Sequence, residues 1–126
     1  MVTGKTSALL GASSAALLNA LKALAGIPDE KNIISPEILA PIQTLKTRNL
    51  GNHNPRLHPD EVLIALSICA VSDETARRAL ECLSQLHNCE AHASVILAQN
   101  DINTLKKLGI QITCEPCYQT KKLYHG

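Results

Sequence analysis

The chain has no Trp and no Phe, and its only aromatic residues besides His are Tyr118 and Tyr124. Proteins that hold single-stranded nucleic acid stack bases on aromatic faces and line a groove with basic residues. With few aromatics and a formal charge of only +1 at pH 7, the chain is not expected to bind nucleic acid. It also lacks an apolar run of the roughly 20 residues that span a bilayer, so no membrane partner is expected. Its five cysteines are an odd number scattered through apolar segments. That pattern suits reduced thiols in a cytoplasmic protein better than a disulfide framework. Lys5, the stretch from Ala8 to Leu24 and Ala23-Leu24-Ala25 imitate an export signal. Ser13, Ser14, Asn19 and Lys22 interrupt the run, and an amphipathic helix is the better reading.

A length of 126 residues suits one domain, 1–126, with a core of Leu, Ile, Val, Ala and Cys. The stretch that organises the chain runs from Asn52 to Val71. Its first half, Asn52 to Glu61, is polar and turn-rich. Its second, Val62 to Val71, is apolar apart from Ser67 and predicts a helix buried on all sides. Pro59 suits the first helical position, and Asp60 and Glu61 suit the first turn, where free N–H groups and the helix dipole favour negative charge.

Elsewhere the signals are of ordinary helix and strand. Gly4-Lys5-Thr6 ends like a phosphate loop, but the glycine such a loop needs five residues earlier has no place in the sequence, so an ordinary loop is expected. A helix is predicted from Ala12 to Ala25, with Leu10, Leu17, Leu21 and Leu24 on one face, stopped by Gly26 and Pro28. Ile33-Ile34 suggests a very short strand. Ser35 and Pro36 open a helix that Pro41 is expected to bend before it continues to Arg48, burying Ile38, Ile42 and Leu45. Ser72 to Thr75 caps a further helix with Ala76, Ala79, Leu80, Leu83 and Leu86 on its inner face. Cys89 to Leu97 reads as a strand, Asn100 or Asp101 caps a short helix to Leu108, Gly109 stops it, and Ile110 to Cys114 is a second strand. Strand, short helix and strand at this spacing predict a right-handed parallel crossover. The fold class is therefore α/β, helix-rich, with a small sheet expected to be parallel.

Asn54-Pro55-Arg56-Leu57-His58 leading into the run from Asp60 to Val71, together with Ser35 to Leu39, Cys114-Glu115-Pro116 and Tyr118 to His125, resembles the C-terminal part of a bacterial family catalogued as domain of unknown function eighteen-forty-six. The resemblance covers essentially the whole chain. It implies an intracellular α/β protein several times longer, of which this chain is a fragment or a shortened relative. Some members carry the label of ATP-dependent peptidase. No His-Glu-x-x-His pair, complete phosphate loop or Gly-flanked Ser elbow stands in this sequence, and the resemblance transfers no catalytic residue.

Three constellations are candidates for chemistry. His53, Arg56 and His58 lie beside a helix start, a combination suited to a phosphate or carboxylate. The ordinary alternative is that Asp60 and Glu61 cap the helix and pair with Arg56. Glu90, His92 and Ser94 alternate along one predicted strand and share a face that could line a pocket. Cys114 and Cys117 have the spacing of half a zinc site or of a redox pair. Zinc would need two further ligands, with His125, His87 or Cys89 nearest by sequence, and a redox pair would need a helix start that Tyr118 to Thr120 does not offer. Accidental spacing is the preferred reading, and no metal and no cofactor is expected. Two functions follow from the sequence. One is part of an enzyme that binds an anionic small molecule through His53, Arg56, His58 and His92. The other is an assembly domain that self-associates or contacts the remainder of a longer protein, with Tyr118, Lys121, Lys122, Tyr124 and His125 in reach of that contact.

Overall fold

A computed structural model describes residues 2–4, 7, 10–93 and 97–114. Residue contacts group the chain into two compact units, Met1–Gln85 and Leu86–Gly126.

In the first unit, α1 is Ala12–Ala25, as the periodicity predicts. Gly26 ends it in the left-handed region at φ 70°, and its N–H and that of Ile27 close the last turn on the carbonyls of Ala23 and Lys22. The buried face is Ser14, Leu17, Leu18, Leu21 and Lys22. Leu24, expected inside, is 41% exposed. The helix thus buries two polar residues that had read as interruptions of an apolar run. Ile33 and Ile34 are buried but form no strand. They fill the core from a bend.

The second helix, α2, is Pro36–Thr44, with Ser35 Oγ accepting from the Glu37 N–H at 3.2 Å. It continues through Pro41 as one helix, because a proline withholds only one bond while the turns before and after it stay paired. A π turn, Leu45–Asn49, extends it. Of the predicted inner face, Ile38 and Ile42 are half-buried and Leu45 is exposed, whereas Leu39 and Lys46 are buried. The apolar stripe was placed one residue off, since a Lys inside the core is not what hydropathy selects.

Pro59 opens α3, Pro59–Cys69. The expectation of burial on all sides is corrected here. Pro59, Val62, Ala65 and Leu66 are buried, but Ile64 and Ile68 are 60% and 52% exposed and Val71, just beyond the helix, is 87% exposed. Helix α4, Glu74–Glu81, is capped by Asp73 Oδ1 accepting from the Thr75 N–H at 2.9 Å. It packs on α3 and α1 through Ala76 and Ala79, and a 3₁₀ turn, Cys82–Leu86, follows. Arg77, Arg78 and Glu81 face solvent, and a hydrogen bond from Arg77 holds the Glu74 carboxyl below its ordinary range.

The second unit is a strand, helix and strand: β1 Glu90–Ala93, α5 Gln99–Lys107 and β2 Gln111–Cys114. The two strands pair in parallel with Glu90 opposite Gln111 and His92 opposite Thr113, which bears out the helix-rich α/β class with a small parallel sheet. Ala98, not Asn100 or Asp101, precedes the first residue of α5, and Asp101 is buried in its first turn. Gly109 stops the helix at φ 85°. A Cβ there would lie 2.2 Å from Nδ1 and 3.0 Å from Cα of His87, so the position admits glycine for both conformation and space. Gly109→Ala is expected to lower unfolding free energy by about 1–3 kcal/mol, read from the urea midpoint.

Candidate functional site

The segment before α3 is held from three directions. Leu57 is fully buried and forms an isolated parallel bridge with Leu10. Its carbonyl accepts from Ser14 Oγ at 2.7 Å and from the Gly11 N–H at 3.3 Å. One residue earlier, the Arg56 carbonyl accepts from Lys46 Nζ at 2.7 Å. The same ammonium meets Glu61 Oε1 at 2.8 Å, with the Lys46 side chain 6% and the Glu61 side chain 26% exposed. Glu61 Oε1 also accepts from the His58 N–H at 2.8 Å. One carboxylate therefore closes the helix start and neutralises a buried cation.

That geometry fixes what an anion would meet at α3. The Glu61 N–H donates to Asp60 Oδ1 at 3.0 Å, and the His58 N–H is taken by Glu61. Two carboxylates occupy the positive end of the helix, where an incoming anion would otherwise be favoured. The expected Asp60 or Glu61 pairing with Arg56 is replaced by Lys46, which contacts Glu61 itself. Arg56 is exposed, and its Nε donates to the Ser7 carbonyl at 2.5 Å. His53 is exposed in the loop and His58 is half-buried.

His92 belongs to the second unit. Its Nδ1 lies 2.7 Å from Thr113 Oγ1 on the neighbouring strand, and Glu90 shares its exposed face. Ser94, the third member of that row, lies outside the described residues, as do Cys117, Tyr118, Lys121, Lys122, Tyr124 and His125. Among the described residues no group of three His, Cys, Asp or Glu side chains could hold a metal, and Cys69, Cys82 and Cys114 are free thiols. No helix of the described residues is long and apolar enough to cross a membrane.

Sequence reasoning missed Lys46, Lys22 and Ser14. For Lys46 no local signal exists, because its partner Glu61 lies 15 residues on. For the other two a signal was present. Positions 14, 17, 18, 21 and 22 form a single i, i+3, i+4, i+7, i+8 stripe, and a helix face does not skip a residue because it is polar.

Fold and site together describe a helix-rich α/β domain that carries no recognisable catalytic triad or metal centre among its described residues. The chain belongs to the family described as domain of unknown function DUF1846, C-terminal, whose model matches residues 1–124. It is 56% identical over 98% of its length to a UPF0371 protein of Corynebacterium efficiens and 51% identical over the same share to one of Streptococcus pyogenes. A UPF0371 protein of Corynebacterium aurimucosum is 55% identical over 96% of the chain. The chain spans about a quarter of the length of these curated relatives.

Lys46→Met keeps the apolar stem and removes the charge, leaving the Arg56 carbonyl without its lysine donor and Glu61 with the His58 N–H but no cation. Because Glu61 is partly solvated, the expected loss is about 2 kcal/mol rather than the larger figure for a fully buried pair, read from chemical denaturation.

Proposed function

We propose that this chain works as an assembly domain whose α3 face packs against the part of UPF0371-type proteins that lies outside the C-terminal domain. The observation that carries this reading is the row Ile64, Ile68 and Val71, spaced by four and three residues and more than half exposed. Large apolar side chains grouped on one helix face mark a contact surface more often than scattered exposure does. Covering such a side chain contributes about 1–2 kcal/mol, since roughly half of its transfer energy is still to be gained. Three-quarters of the length of the relatives lies outside the matched region, and that portion is the occupant we assign. We place the domain in the cytoplasm, on the argument that several unpaired thiols suit a reducing compartment.

A second reading keeps the anionic small molecule at His53, Arg56 and His58, with His92 as a further contact. It draws on Arg56, whose guanidinium has a carbonyl but no carboxylate partner among the described residues. An anion there would act on Arg56 at the loop rather than on the helix start, which Asp60 and Glu61 already fill.

The test pairs Ile64→Lys/Ile68→Lys with Arg56→Ala, each in the isolated chain and in a Corynebacterium efficiens relative carrying this chain as its C-terminal domain. Assembly predicts that the double variant leaves the melting temperature of the isolated chain within about 2 °C, because surface changes are small, and lowers that of the long protein by 5 °C or more. Equal shifts in both would overturn it, and dimerisation of the isolated chain lost in the double variant would assign the face to a second copy. The anion reading instead predicts a phosphate-induced thermal shift that Arg56→Ala abolishes.

A further inference from the structure

A second place in the first unit joins a buried charge to an unfilled space. A pocket of about 180 Å³ is walled by α1, the bend before α2 and the first turn of α2. Its apolar side includes Leu18, Ile33, Ile34 and Leu39, each more than nine-tenths buried. Its polar side includes Lys22 and Asn32.

Lys22 is 6% exposed, and among the described residues its ammonium has a single partner, the Asp29 carbonyl at 2.5 Å. Among the described residues no carboxylate forms an ion pair with it, in contrast to Lys46, also buried, which has Glu61. Buried cations are ordinarily paired, and an ammonium with three donors keeps two beyond that carbonyl. The Asn32 side-chain amide likewise makes no hydrogen bond with the described residues. The pocket therefore presents the buried Lys22 charge, and at its exposed edge the Asn32 amide, beside an aliphatic wall.

Size narrows the ligand. A cavity of roughly 150 Å³ takes benzene, whereas pockets for drug-sized ligands run to about 300 Å³ and more. Nucleotides and sugar phosphates are too large to be enclosed here, and inorganic phosphate would leave the aliphatic wall bare. We propose that this pocket binds a short branched monocarboxylate, with its carboxylate on Lys22 and Asn32 and its tail against Leu18, Ile34 and Leu39. This site is separate from the α3 face and from the loop of His53 and His58, and does not rest on the assembly reading.

The experiment is a titration of the methyl-labelled 126-residue chain with isovalerate, followed by NMR, with isoamyl alcohol and inorganic phosphate as parallel probes. Saturable shifts are expected at the Leu18, Ile34 and Leu39 methyls, with a dissociation constant in the millimolar range. The alcohol and phosphate should each bind at least tenfold more weakly. Lys22→Met should weaken isovalerate at least tenfold. Should that variant fail to fold, Asn32→Ala, at an exposed position, should weaken it severalfold with the methyl spectrum otherwise intact. No saturable shift, equal binding of alcohol and acid, equal binding of phosphate, or insensitivity to both substitutions would each overturn the proposal. Isovalerate binding that survives Ile64→Lys/Ile68→Lys supports it whatever becomes of the assembly reading.

Discussion

Lys46 Nζ stands between the Arg56 carbonyl and Glu61 Oε1 at 2.7 and 2.8 Å, and the geometry before α3 follows from that one ammonium. It ties the π turn after α2 to the loop that leads into α3. Through Glu61 it reaches the His58 N–H and so sets where the helix begins. Leu57, between the two anchored residues, is thereby presented to Leu10, Gly11 and Ser14. A polar, turn-rich loop that would otherwise be free to move is fastened at three successive residues. Arg56 adds a further tie, from its Nε to the Ser7 carbonyl.

With the helix start fixed in this way, α3 can bury only the side that meets α1 and α4. Val62, Ala65 and Leu66 take that side, and Ile64 and Ile68 are left outward. A helix that is apolar all round normally lies inside a protein. An α3 that is apolar all round but covered on one side thus has a surface more hydrophobic than its packing here requires. The relatives, four times as long, offer a physical reason for it.

Much of the fold could be read from the residues because its signals are local. Gly26 after α1, Ser35-Pro36 before α2, Pro59 with its two carboxylates at α3 and Asp73 at α4 each act within a single turn. The parallel pair around α5 followed from spacing alone. What was not legible depends on tertiary partners. A lone proline does not tell whether the flanking turns will carry a helix past it, as they do at Pro41, and Ile33-Ile34 has the residues of a strand but pairs with none among the described residues. The apolar run after Glu61 could not reveal which of its sides would be covered. The buried lysines are the least legible feature, because hydropathy assigns every Lys to solvent. Among the described residues the buried lysines are Lys22 and Lys46, and hydropathy marks neither.

The central claim is that the outward side of α3 is a contact surface in the longer proteins. Its most direct test is the maleimide labelling rate of an Ile68→Cys thiol, mapped by peptide mass spectrometry in the isolated chain and in the long Corynebacterium efficiens relative that carries this chain as its C-terminal domain. The account predicts rapid labelling in the isolated chain and at least tenfold slower labelling in the long protein. Equal rates in the two would contradict it.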